Sequence, residues 1–235
     1  MARKNRISIV VLLSLFTVFT MPIAAQSSYT KSGLNGAQFD AHTAFNIDDI
    51  VQSFGGQLGY SIGGILDIGL DFSMSYDDIE GQDSQETNIG LKYGIMLLKQ
   101  EDLSPVSLQL SGSYGYSFID SNYYDNQDLQ KEGQGYGLEL YLFRDFATGD
   151  SSGVRLGPFG GFRSYRYIIQ DISLETEEAR TYSPVRETNF DFGVNFTIHN
   201  TNSQGKTYYF SIKPSGDENL NFAATISTGL VFEIR

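Results

Sequence analysis

At 235 residues with a formal net charge of −12 and no cysteine, the chain is the size of one domain, all-β barrels included, and has no disulfide framework to staple it. Its acidity repels nucleic acid, and anionic headgroups too unless cations intervene. A mean hydropathy of −0.22 resembles that of a soluble protein, yet a barrel that shows lipid only every second residue scores the same way.

The first segment lies outside the fold. Arg3, Lys4 and Arg6 precede an apolar run, Ile7 to Thr20, and Pro22-Ile23-Ala24-Ala25 supplies small residues for cleavage. That is the layout of a secretory signal peptide, residues 1–25, cut after Ala25. The run is shorter than the ~20 residues of a spanning helix. Residues 26–36 read as a polar tail, and residues 37–235 as the folded domain.

Within that domain the apolar residues alternate. Phe39, Ala41, Thr43 and Phe45 mark a first strand; after a connection, Phe54, Leu58, Tyr60 and Ile62 mark a second. Gly63-Gly64 then makes a tight antiparallel turn. From Leu66 to Tyr76 every second residue is apolar, with Asp67, Gly69, Asp71, Ser73 and Ser75 between them. Strict alternation over that length gives a strand with one greasy and one polar face, long enough to cross an apolar layer of about 25 Å at a barrel tilt. An acidic loop, Asp77 to Glu86, follows. Ile89 to Leu97 and Val106 to Phe118 repeat the alternation around a turn through Lys99 to Pro105. A loop from Ile119 to Gln134 leads to Tyr136, Leu138, Leu140 and Leu142. The strand Val154–Tyr167 has no clear phase, because Gly160-Gly161 could mark a bulge. A second acidic loop, Ile168 to Glu187, precedes Phe190 to Ile198. Tyr208, Phe210 and Ile212 follow, then a Pro-Ser-Gly-Asp turn and a last strand, Phe222 to Ile234.

Roughly ten strands result, eight being the other option, with shorter connections alternating with longer ones. The fold class expected is all-β, an antiparallel up-and-down transmembrane β-barrel. In that topology Phe54, Tyr76, Tyr116, Phe118, Tyr136, Phe190 and Phe222 fall near the loop-side rim. Phe39, Phe196, Tyr208 and Phe232 fall near the turn-side rim, so the rings form two girdles. On these features the chain resembles the small outer-membrane β-barrel proteins of Gram-negative bacteria, porin-like barrel domains among them. The resemblance covers the leader, the alternating strands and the closing stripe Leu230, Phe232, Ile234. It implies an outer-membrane location, contact with the lipid bilayer and lipopolysaccharide, and insertion by the outer-membrane assembly machinery. The family's insertion signal often ends in an aromatic residue, whereas this sequence ends in Arg235.

The inward set reads as Asp67, Asp71, Lys92, Glu139, Arg155, Arg163, Asp191 and Glu233, with Arg155 and Arg163 against Asp67 and Asp71 as the first pairs to test. Buried charges of both signs satisfy one another. A barrel of about eight strands is filled by its side chains, whereas open porins have about 16–18 strands. The acid-rich loops carry no spacing of a defined calcium site. Of two histidines, His199 falls on the turn side and His42 sits beside Asp40 facing inward, so neither offers a rim catalyst. No catalytic, cofactor-binding or metal-binding residue is assigned, no catalysis and no nucleic-acid partner is expected, and oligomeric state is left open. The function expected is a structural, adhesive or narrow-pore barrel. The alternatives are a soluble secreted β-barrel that binds an apolar ligand and, further off, an outer-membrane hydrolase.

Overall fold

A computed structural model of the chain describes residues 29–30, 32–46, 52–79, 82–100, 104–121, 129–171, 180–181, 185–217 and 222–234. The leader, 1–25, lies outside them, as does part of the acidic loop sequence. The described strands are β1 (Asn35–Asn46), β2 (Gln52–Ile62), β3 (Leu66–Ile79), β4 (Gln82–Leu98), β5 (Ser107–Ser121), β6 (Leu129–Ala147), β7 (Ser152–Asp171), β8 (Arg180–Thr181), β9 (Val185–Thr201), β10 (Lys206–Asp217) and β11 (Phe222–Ile234). Ten are long. The two-residue β8 pairs with the far end of β7.

Each long strand pairs antiparallel with the next, β9 following β7, and β1 pairs with β11, so the sheet closes on itself. Closure leaves no open edge, which a hydrocarbon layer would penalise by several kcal/mol for each unpaired backbone group. The strands are strongly tilted. A row of directly paired residues begins at Ile62, the turn-side end of β2, and passes through Leu66, Ile95, Leu110, Leu140, Gly160, Phe192 and Gly216. It ends at Phe222, the loop-side end of β11. The row therefore climbs the whole wall, a stagger of about twelve residues per circuit, consistent with the tilt of membrane barrels.

Side chains sort by parity, as the alternation requires. Leu70, Leu91 and Phe192 are 60%, 44% and 51% exposed on the outside, whereas Asp71 and Lys92 are 2% and 3% exposed inside. An apolar ring exposed on one side and a polar interior on the other excludes the soluble barrel with an apolar cavity. The girdle residues expected from sequence all carry outward parity. Phe39 meets Phe232 edge-on at the turn side, and Tyr136 meets Phe162 at the loop side.

Glycines let the wall pack closely. Across the ladders, His42 lies opposite Gly55, Tyr165 opposite Gly135, Tyr167 opposite Gly133, His199 opposite Gly153 and Tyr209 opposite Gly229. A Cβ at Gly55 would come within 2.4 Å of His42 Nε2, and one at Gly135 within 2.7 Å of the Tyr165 ring. Each ring thus lies flat against its neighbour's backbone because that neighbour has no side chain. The Gly63-Gly64 turn is present as expected, with φ of 62° and 64°, the left-handed values that tight hairpin turns demand.

Three local expectations are corrected. Strands run further into the long connections than the apolar stripes: β5 reaches Ser121 and β9 starts at Val185. Hydrogen-bonded pairing continues above the membrane, where no apolar periodicity reports it. Gly160-Gly161 is no bulge, since β7 keeps one register against β9 from Ser152 to Tyr167. The register shift is in β4, between Met96 and Leu98, where Leu97 and Leu98 both emerge on the outside. Finally, Pro214–Asp217 belong to β10. The ladder to β9 runs from Ile212↔Phe196 to Ser215↔Gly193 with no pair between them, and Pro214, lacking an N–H, sits in that interval.

Candidate functional site

Buried charged groups gather in the lumen, and side chains fill its turn-side half. Phe143 and Tyr141 stack at 4.7 Å between centroids and join Phe159 and Met96 in a buried cluster. Arg155, directly opposite Asp145 on the β6–β7 ladder, grips its carboxylate through Nε and Nη2, both at 2.8 Å. The guanidinium lies 4.2 Å over Phe143 and 4.1 Å over Tyr29. Asp145 is also 3.5 Å from His199 Nε2, and its backbone exchanges hydrogen bonds with the Gln100 amide.

Tyr29 comes from the stretch read as a free tail. Its ring stacks on Tyr209 at 5.2 Å with a 10° interplanar angle, and meets His199 edge-on. Thr30 is wholly buried behind it, its carbonyl accepting from Lys99 Nζ. Gly33 N donates to Gly63 O at 2.9 Å, which fastens the entry of the segment to the first turn. Burial pushes the Tyr29 hydroxyl above its ordinary pKa, against the opposing pull of Arg155.

Above this floor the lumen holds a series of hydrogen-bonded and ion-paired side chains. Tyr209 donates to Asp40 at 2.5 Å, Gln38 Nε2 donates to the Tyr209 hydroxyl at 2.6 Å, and His42 Nδ1 lies 3.2 Å from Asp40. Lys92 donates to Asp71 at 2.6 Å and to Gln57 at 3.1 Å, and Gln109 donates to Asp67 at 3.1 Å. Lys213 reaches Glu139 at 2.7 Å and lies 3.9 Å over Phe159, while Arg163 holds Asp191 at 2.7 Å.

Sequence parity put the whole expected inward set on the correct face. The proposed partners were wrong: Arg155 pairs with Asp145 and Arg163 with Asp191, and neither is paired with Asp67 or Asp71. Parity names a face, but only register names a neighbour. Asp145, Lys213 and Tyr29 were missed. Asp145 sits just beyond a stripe taken as a strand end, Tyr29 within the stretch read as a tail, and Lys213 beside a proline taken as a turn. The inward rings Tyr141 and Phe143 were hidden because both faces of that part of β6 are apolar.

Toward the loops the lumen opens into a recess of about 490 Å³, counting its solvent-open part, lined by Asn88, Lys92, Ser113, Ser117, Arg163 and Tyr165. One wall is bare main chain, where Gly90, Gly115 and Gly135 lie side by side on β4, β5 and β6. Among the described residues no group of carboxylates and imidazoles is placed to hold a metal ion. Of the acidic residues in the two acidic loops, the described side chains are Glu86, which is buried, and Glu187, which is half-buried; Asp120 in the loop between them is exposed.

A closed ten-strand antiparallel wall, outward leucines and aromatic girdles around a paired ionic lumen define the fold of a small transmembrane β-barrel, the architecture of outer-membrane barrels. No family model and no curated protein matches the chain. Among solved structures it is similar to the translocator domain of the autotransporter NalP from Neisseria meningitidis, over 98% of each chain at 10% identity and a TM-score of 0.48. It is similar to the β domain of the Bordetella autotransporter BrkA, over 87% of this chain and 100% of that one, at 9% identity and 0.49. The outer membrane protein OprG from Pseudomonas aeruginosa aligns over 88% and 99% at 9% identity and 0.41. These likenesses concern architecture alone and transfer no residue or role.

Proposed function

We propose that the protein is a non-catalytic barrel of the outer membrane, exported by a leader cut after Ala25, whose role is structural or adhesive. The observation that carries this is the filled turn-side lumen, where the Arg155–Asp145 pair is clamped between Phe143 and Tyr29. Side chains occupy the path a solute would take, and the charges there are spent on one another. The barrel then serves as an anchor that displays its loop-side hairpins, and its partners are the lipid bilayer, lipopolysaccharide and the assembly machinery.

The loop-side recess favours the narrow-pore reading as the alternative. Single-channel recording of the refolded full chain in planar bilayers separates the two. Steps no larger than the bilayer background support the anchor; regular steps that survive Arg155→Gln without change would overturn it. A hydrolase reading has little to stand on, because His42 and Asp40 are enclosed by Tyr209 and Gly55 instead of facing a cleft. The side-chain surface of both is almost entirely covered.

A further inference from the structure

On the outer face, Arg166 of β7 stands directly opposite Arg186 of β9, and Gln134 of β6 stands directly opposite Arg166 on its other side. All three side chains are exposed. They form one row one outward step above the row of Tyr136, Ser164 and Thr188, and two steps above Phe162 and Phe190. At about 3.3 Å per residue and a tilt near 40°, one outward step rises about 5 Å. The arginines therefore sit just beyond the loop-side girdle, where hydrocarbon gives way to lipid headgroups.

Two guanidinia facing each other across a ladder repel. Neither has an ion-pair partner among the described residues. The nearest described outward carboxylate, Glu132, is one step further out and accepts from the Tyr116 hydroxyl. Outward cations at the opposite rim are differently placed: Arg144 lies 5.2 Å over Phe146 and Lys206 lies 5.7 Å over Phe232. In a chain of net charge −12, two bare arginines set side by side at headgroup height call for an anion between them.

We propose that Arg166 and Arg186 form a binding site for a phosphate group of an outer-leaflet lipid, with the Gln134 amide beside it. Side chains of directly opposed residues start about 5 Å apart, so both forks reach one phosphate, and guanidinium geometry matches phosphate oxygens better than an ammonium does. The site rests on the reading of the chain as an outer-membrane barrel and deepens it by naming where lipopolysaccharide would be held.

The test uses the refolded full chain in neutral detergent micelles, titrated with lipid A bearing both phosphates, with the same lipid stripped of both, and with inorganic phosphate. Lipid adducts are counted by native mass spectrometry. The bis-phosphorylated lipid is expected to bind the wild type about tenfold more tightly than it binds the Arg166→Gln/Arg186→Gln variant, and Arg144→Gln is expected to leave binding unchanged. Equal binding of phosphorylated and stripped lipid by the wild type, an arm that needs no variant, overturns the site. So does equal binding by wild type and double variant. Displacement of the lipid by millimolar inorganic phosphate would assign the arginines to a free anion and overturn the lipid reading. Heat-modifiable gel mobility is followed in parallel: its absence in the wild type would sink the barrel reading itself, whereas its presence with no phosphate preference sinks only the site.

Discussion

Lys92 and Asp71 lie 2.6 Å apart without being opposite each other. Lys92 faces Gly69 across the β3–β4 ladder, and Asp71 faces Gly90. The lysine therefore leans along the strand over a position without a side chain, and the pair forms diagonally. Removing one member would leave the other buried and uncompensated. Lys92→Met is expected to destabilise the refolded barrel by about 3–5 kcal/mol, and Lys92→Met with Asp71→Leu to recover most of it. Urea titration in micelles, read by heat-modifiable mobility, gives both numbers. Additive losses in the double variant would contradict the pairing.

The glycines that face rings make a graded prediction. A Cβ at Gly161 would meet the Leu138 carbonyl at 2.3 Å, a backbone atom that cannot swing aside. A Cβ at Gly135 would meet only the Tyr165 ring at close range, and one at Gly149 would meet nothing within 4 Å. Gly161→Ala should therefore cost the most, about 1–3 kcal/mol or more, Gly135→Ala less, and Gly149→Ala close to nothing. Adding Tyr165→Ser should relieve Gly135→Ala but leave Gly161→Ala unrescued. Equal losses at the three sites would rule out close packing as the cause.

Tyr29 offers an optical test, because the chain contains no tryptophan. Tyr29→Trp introduces a single indole. If the ring is lodged between Arg155 and Tyr209, acrylamide should quench its emission weakly in the folded barrel and strongly after urea unfolding. Free quenching in the folded state would return Tyr29 to the tail expected from sequence.

The lipid face is tested by depth. Leu70 and Leu91 are directly paired and point outward near mid-wall. Leu91→Arg should lower the stability of the barrel in liposomes by about 2–4 kcal/mol, while Gln85→Arg, outward on the same strand but level with the girdle residue Tyr76, should cost about 0–1. Indifference at Leu91 would mean that this face does not touch hydrocarbon.

The barrel was legible because lipid imposes parity on every crossing. Leu66 to Tyr76 alone announces one oily and one ionic face, and eight further stripes repeat it. What stayed hidden obeys other constraints. Strand ends beyond Phe118 or Phe190 are set by backbone pairing in water, where residue type is free. Partners such as Arg155 with Asp145 depend on register, which shifts with every connection between strands. Arg166 and Arg186 are ordinary loop arginines until register sets them side by side.

The seam between β1 and β11 joins the two extremities of the fold, Asn35 beside Ile234. The first strand to leave the ribosome must wait, unmatched along one flank, for the last. A chain cut short before β11 is thus a curled ribbon with two raw borders, and the wall is whole only when its last strand meets its first.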